Sequence, residues 1–228
     1  MIKFIFLDLD DTILDFHKAE EEALKDTLLQ FGVEPTGACM ARYSEINKAQ
    51  WKRLEKGEMT RDEVKLRRFE IFFEELGVDC DAEAARIFYE KRLAIGHFFL
   101  PGAEEMLDAL HGKYHLYIAS NGTTSVQNGR IASAGIAPLF DEIFLSEALG
   151  AVKPQKEFFD ACFATIPNFD PSQAIIFGDS LTSDILGGIN AGIHTCWFNP
   201  HKSPASEQIT PEFEVGELSA FVELVEDL

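Results

Sequence analysis

Ile2-Lys3-Phe4-Ile5-Phe6-Leu7-Asp8-Leu9-Asp10-Asp11-Thr12 begins as an apolar run and ends among acids. The run Ile2 to Leu7 has the length and composition of a strand buried on both faces, as in a parallel sheet covered by helices. Ligand crevices in such sheets lie at the carboxyl ends of the strands, so these acids emerge where ligands bind. Side chains two apart on an extended chain point the same way, which turns Asp8 and Asp10 toward one spot about 6–7 Å apart along the backbone. A carboxylate can attack phosphorus, and a neighbouring carboxyl can carry a proton. Two acids in one crevice repel each other unless a divalent cation sits between them. By itself, Asp8 to Thr12 also fits a strand running out into an acidic, solvated turn.

Outward from that stretch the chain has two textures. From about Asp15 to Phe98 the pattern is helical almost throughout. His17 to Phe31 reads as a helix stopped by Gly32, and Tyr43 to Lys56 as another stopped by Gly57. Thr60 and Glu63 form a capping box ahead of the amphipathic stretch Val64 to Leu76, with Gly77 after it. Asp81 to Ile95 makes a fourth helix. After Pro101, strands alternate with helices: strands at Tyr114 to Ala119, Glu142 to Leu145, Ala174 to Phe177 and Thr195 to Phe198. The helices between and after them are Thr124 to Ala134, Gln155 to Ile166, Ser183 to Ala191 and Glu217 to Glu226. This alternation means βαβ units and a parallel, doubly wound sheet. The expected fold is α/β, a Rossmann-like core of residues 1–14 and 99–228, with an all-helical insertion at 15–98 placed over the acids. Asn199 to Pro211, with its prolines, reads as a loop.

A chain of 228 residues, 46% hydrophobic, can bury one substantial core and a small second module. Its 20 Phe residues are mostly core material. The net charge of −19 argues against nucleic acid polymers and anionic membrane surfaces as partners. It does not exclude a small phosphorylated ligand, because one metal ion and one lysine can invert the local field. No apolar stretch has transmembrane length, and the N-terminus enters a strand rather than a signal segment. Cys39, Cys80, Cys162 and Cys196 show no ligand spacing, as expected of reduced thiols in a cytoplasmic protein.

Three further polar clusters follow strands. Ser120-Asn121-Gly122 offers a hydroxyl and backbone N–H groups at a helix start, which suits a phosphate as well as it suits an ordinary turn and cap. Lys153-Pro154 precedes a helix, where most lysines only solvate a surface. Gly178-Asp179-Ser180-Leu181-Thr182-Ser183-Asp184 places an acid just past a buried strand, as a hard metal requires, although Thr182 or Ser183 also fits a plain N-cap. Four weak signals at four strand ends, all facing one crevice, are stronger jointly than singly.

In this order the clusters resemble the four motifs of the haloacid dehalogenase superfamily: Asp8-Leu9-Asp10-Asp11-Thr12, Ser120, Lys153, and Gly178-Asp179-Ser180 with Asp184. The helical block sits where that superfamily inserts its C1-type cap. Ser120-Asn121-Gly122, Ser183 to Gly192 and Thr195-Cys196-Trp197-Phe198-Asn199 look like the YjjG-type branch, nucleoside 5′-monophosphatases that favour pyrimidines. The resemblance implies Asp8 as nucleophile, Asp10 as acid and base, and Mg²⁺ on the Asp8 carboxylate, the Asp10 backbone carbonyl and Asp179. It further implies Ser120, the Asn121 amide and Lys153 around the phosphoryl group, and Asp184 behind them, orienting a metal-bound water or Lys153. Thr12 is expected to steady the turn, with Asp11 and Asp15 solvated. The implied partner is a small phosphorylated metabolite, and a monomer or homodimer is expected.

The six histidines lack metal-ligand spacing. Trp51, Met59 and the helical-block phenylalanines suit helix–helix core better than base stacking. A haloacid dehalogenase or sugar-phosphate hydrolase uses the same fold; the dehalogenase needs neither Mg²⁺ nor an acid at Asp10. A phospho-receiver normally carries its acceptor after a later strand and has no large helical insertion. A silent binding protein has no reason to keep every motif residue.

Overall fold

Phe4–Leu7 forms β1, and all four of its residues are buried. Phe4 and Phe6 face one apolar cluster while Ile5 and Leu7 face another, which is why the run shows no polar alternation. A computed structural model describes residues 1–204 and 208–228. After β1 come four helices in succession: α1 (Phe16–Gln30), α2 (Gly37–Glu55), α3 (Arg61–Leu76) and α4 (Ala82–Leu93). The second half runs α5 (Ala103–Leu110), β2 (His115–Ser120), α6 (Thr124–Ala134), β3 (Glu142–Leu145), the single turn α7 (Ser146–Leu149) and α8 (Lys156–Thr165). It continues through β4 (Ala174–Gly178), a π-helical turn at Leu181–Ile185, α9 (Leu186–Ala191), β5 (His194–Phe198), β6 (Phe213–Val215) and α10 (Leu218–Asp227).

The strands form a six-stranded parallel sheet in the order β3-β2-β1-β4-β5-β6. The chain therefore moves outward on one side of β1 and returns to build the other side from β4. That reversal opens a crevice at the carboxyl ends of β1 and β4. One sheet face packs on α5, α6 and α10 through Met106, Leu107, Ile131 and Phe221. The other packs on α8 through Phe158, Phe159 and Cys162.

Helices α1–α4 have their own core of Leu24, Leu28, Tyr43, Phe69, Phe72, Phe73 and Tyr89, which also takes in Val126 of α6. Phe69, Phe72 and Phe73 are thus helix–helix core, as the sequence suggested. The two crossings into this block pair with each other. The Asp15 amide donates to the Phe98 carbonyl (2.7 Å), and the Leu100 amide to the Ile13 carbonyl (3.0 Å).

Several details depart from the sequence reading. Helix α2 begins at Gly37 rather than Tyr43, because Thr36 accepts from the Cys39 amide and serves as N-cap. Asp15 is not merely solvated: it caps α1 by accepting from the Lys18 amide at 2.8 Å. Asp11 is half-buried, adopts φ +56°, and accepts from the Phe16 amide at 2.8 Å. An aspartate tolerates that left-handed conformation and uses its short carboxylate to close the turn. The N-cap after β4 is Ser180, whose Oγ accepts from the Ser183 amide, while the Thr182 hydroxyl donates to Glu55 at 3.2 Å. Helix α5 and the three-residue β6 escaped the sequence reading. Of the expected loop 199–211, residues 205–207 lie outside the described residues, and the rest is neither helix nor strand. No helix among the described residues is long and apolar enough to cross a membrane.

Candidate functional site

Strand ends bring the candidate residues together. β1 delivers Asp8, β2 ends in Ser120, and β4 ends at Gly178 just before Asp179. Strands β1 and β4 are hydrogen-bonded neighbours, so Asp8 and Asp179 leave the sheet side by side. The π-helical turn then carries the Asp184 carboxylate back beneath them. A Cβ at position 178 would lie 2.3 Å from Asp184 Oδ2, so only glycine allows this approach.

One oxygen from each of Asp8, Asp179 and Asp184 lies within 4.8 Å of the other two. Lys153, 1% exposed, sits against this group. Its Nζ donates to Asp8 Oδ1 (2.7 Å), to Asp184 Oδ1 (2.6 Å) and to the Ala119 carbonyl. Asp184 Oδ2 accepts from the Ser180 amide at 3.0 Å. Burial disfavours charge on Lys153, but Asp184 and Asp8 outweigh it and hold the ammonium above its ordinary range. One lysine does not balance three acids. Burial pushes Asp8 up to about 8, with Lys153 opposing the rise and Asp184 and Asp10 adding to it. Burial, Asp184 and Asp8 likewise hold Asp179 well above the usual carboxylate range. Clustered hard oxygens with this excess of negative charge are a fitting donor set for a divalent cation of the Mg²⁺ type.

The remaining motif residues play parts the sequence did not specify. Ser120 Oγ accepts from the Gly122 amide (3.1 Å) and from Gln127 Nε2 (2.8 Å). The Asn121 side chain is a clamp between loops: Nδ2 donates to the Lys153 carbonyl (2.9 Å) and Oδ1 accepts from the Lys153 amide (2.9 Å). Thr12 is fully buried and its Oγ1 has no hydrogen-bond partner among the described residues. Asp10 does not join the Asp8–Asp179–Asp184 carboxylate group; its expected metal contact was through the backbone carbonyl. Its Oδ2 accepts from Gln127 Nε2 at 2.7 Å and its Oδ1 from Arg130 Nη1. The sequence reading passed over Gln127 and Arg130. The available signal was Arg130 itself, a lone charge on the otherwise neutral helix Thr124–Ala134.

Above these groups lies a cavity of about 300 Å³ shared by the sheet ends and the inserted helices. That volume is at the small end of the range of about 300–1,000 Å³ for small-molecule sites. Its upper wall includes Phe16, Glu20, Asn47, Trp51, Arg68 and Glu90. Asn47 donates to Glu20 (2.6 Å) and accepts from Arg68 (3.0 Å), so the roof is polar although buried. Trp51 lines this cavity, whereas Met59 does not. A larger groove of about 1260 Å³ beside α5 and α10 reaches Asp179 but none of Asp8, Ser120 and Lys153. The smaller cavity is the one that holds the chemistry. Arg61 at the start of α3 bridges the two halves, donating to the Asn121 carbonyl and to Ser146 Oγ, each at 2.5 Å.

A parallel sheet carrying clustered carboxylates and a buried lysine at its switch point, beneath an inserted helical block, has its site where Rossmann-like α/β enzymes bind their ligands. The sequence family described as haloacid dehalogenase-like hydrolase matches residues 2–192, and the chain belongs to that family. It is 39% identical over 214 residues to the HAD-hydrolase YfnB of Bacillus subtilis, covering 94% of this chain and 91% of YfnB. The crystal structure of YfnB bound to magnesium, described as revealing interdomain movement, superposes with a TM-score of 0.94 at 38% identity over 98% of both chains. The pyrimidine 5′-nucleotidase PynA of Streptococcus pneumoniae is 40% identical, with 93% of this chain and 90% of PynA covered. The pyrimidine 5′-nucleotidase YjjG of Escherichia coli is 33% identical over 97% of each chain.

Proposed function

We propose that this hydrolase is a Mg²⁺-dependent nucleoside 5′-monophosphatase that prefers pyrimidine nucleotides and works through an aspartyl-phosphate on Asp8. The observation that carries the reading is Asp8 at the β1–β4 crevice, bonded to Lys153 and within reach of Asp179 and Asp184. The names of PynA and YjjG support the substrate class, and the magnesium-bound YfnB supports the metal.

An Asp8 oxygen attacks phosphorus in line, and the bond to the 5′-oxygen breaks with its electron pair going to that oxygen. Asp10 supplies the proton that the departing oxygen takes. Asp10 then removes a proton from a water that attacks the same phosphorus, and the phosphorus–Asp8 bond breaks to release phosphate and the free carboxylate. Ser120 and the Asn121 amide hold the phosphoryl oxygens, and the Lys153 ammonium beside Asp8 adds its positive charge, as charge redistributes. Asp8, Asp179 and the Asp10 carbonyl would hold Mg²⁺, with Asp184 near enough to take part. When bound, the cation neutralises charge on the acids and on the phosphoryl oxygens. Residues 15–98 act as the cap that selects the leaving group, and 1–14 with 99–228 as the catalytic core. Acids at both Asp10 and Asp179 favour phosphoester hydrolysis over dehalogenation, which requires neither.

The test is a panel of nucleoside monophosphates, sugar phosphates and 2-chloropropionate, assayed for phosphate or chloride release with Mg²⁺ or with chelator. Pyrimidine monophosphates should be hydrolysed fastest, and only with Mg²⁺. Chloride release in chelator would establish the dehalogenase instead.

Stability should report the same metal. Asp8 and Asp179 bind protons more tightly folded than unfolded, so their contribution to stability is present below pH 4 and is lost as pH rises, in the case of Asp8 toward about 8. A cation displaces those protons, so its affinity and its stabilising effect grow with pH. At about 100 times its Kd, Mg²⁺ adds about 2.7 kcal/mol. For a chain of this size that is a Tm rise of about 5–10 °C near pH 8. Near pH 5 the rise should nearly vanish. A Tm increment that is equal at both values would show that the cation binds elsewhere.

A further inference from the structure

Both oxygens of Asp10 are occupied by donors from one face of α6. Gln127 Nε2 donates to Oδ2 at 2.7 Å and Arg130 Nη1 to Oδ1. The two donors are one helical turn apart, so a single rigid element fixes the plane of the carboxyl. Each donor is itself anchored. Gln127 Nε2 also donates to Ser120 Oγ (2.8 Å), and its Oε1 accepts from Arg130 Nη1 at 3.3 Å. Arg130 is fully buried, its Nε donates to the Gly96 carbonyl at 2.9 Å, and its guanidinium lies 5.6 Å from the Phe16 ring centre. Helix α6 is held tightly there, since a Cβ on Gly129 would meet the Ala94 carbonyl oxygen at 2.6 Å.

A fully buried arginine demands a purpose that packing does not supply. Removing a guanidinium from water is costly, and neutral side chains would fill the same space at less cost. Its ion-pair partner is Asp10, an acid of the motif that does not join the Asp8–Asp179–Asp184 group. We infer that Gln127 and Arg130 are the positioning residues of Asp10, fixing the carboxyl that exchanges protons with the leaving group and the attacking water. Arg130 is fastened at Gly96, where the chain returns from α4, so the post that holds Asp10 is seated on the inserted block as well as on the core. The inference rests on the acid–base reading of Asp10 given above.

The discriminating probe is p-nitrophenyl phosphate, whose leaving group departs without a proton. Gln127→Leu and Arg130→Met are compared with Asp10→Ala, using this ester and uridine 5′-monophosphate with Mg²⁺. A loose Asp10 impairs protonation of the nucleoside and activation of water, but leaves attack on the aryl ester intact. Both variants should lose about 10²-fold in nucleotide turnover, the lower range for acid–base catalysis, with KM changed less than about threefold. With the aryl ester they should release one nitrophenolate per active site in a burst, followed by slow turnover. Parallel loss on both esters without a burst, or unchanged nucleotide turnover, overturns the inference. If Arg130→Met does not fold, Gln127→Leu decides alone. Asp10→Ala separates the two levels: if it leaves nucleotide turnover intact, the acid–base reading fails. If it abolishes turnover while the α6 variants do not, only the positioning inference fails.

Discussion

Asp8→Asn should lower phosphate release by about four to six orders of magnitude, in the range seen when a covalent nucleophile is removed. The amide matches the carboxylate in shape but cannot form the aspartyl-phosphate. The fold should survive. Lys153 keeps Asp184 Oδ1 at 2.6 Å and the Ala119 carbonyl as partners. Losing one of several crowded acids also relieves the repulsion that helps to hold Asp179 above its ordinary range. Initial rates on uridine 5′-monophosphate and a thermal melt of the same preparation check both halves. Turnover near that of the parent chain would eliminate the covalent mechanism.

Lys153→Met should damage fold and chemistry together. The methionine fills a similar volume but leaves Asp8 and Asp184, 6% and 1% exposed, without their shared countercharge. Breaking one side of a buried ion pair costs about 3–5 kcal/mol. Protonation of Asp8, whose carboxyl burial pushes up to about 8, will soften that loss at low pH, so it should be largest in alkaline solution. Mg²⁺ should restore much of the stability by supplying another positive charge beside Asp8. Turnover should nonetheless stay about 10²–10³-fold down, because the charge facing the phosphoryl group is missing. Urea denaturation at pH 6 and pH 8, with and without Mg²⁺, reads the stability. Equal stability of variant and parent at pH 8 without metal would mean that the acids, not the lysine, set the energetics of the site.

Much of this site was legible because its residues sit at strand ends, and strand ends follow from local pattern. An apolar run that stops at Asp8, another before Ser120 and a third before Asp179 fix the positions along the chain where crevice residues must fall. The capping box at Thr60 and Glu63 was equally local, and α3 begins there with both reciprocal hydrogen bonds present. The errors were local signals read too narrowly. Asp11 and Asp15 looked solvated because their partners are backbone amides of the next turn, which composition does not display. Helix α5 was missed because it is only eight residues long, and β6 because a three-residue strand gains its stability from its neighbour β5 rather than from its own sequence.

By itself the sequence determined the fold class, the inserted helical block and the set of polar residues at the sheet's edge, because hydrophobic periodicity and caps act over a few residues. Only the tertiary structure decided how those residues pair. Asp8 and Lys153 are 145 positions apart, and Asp10 and Arg130 are 120 apart. Nothing local ranks Lys153 above other lysines or turns Asp10 toward α6 rather than toward Asp179. Those choices come from the strand order, which sets β4 beside β1, and from the burial of charges that must each find an opposite charge or a donor in the space the packed helices leave.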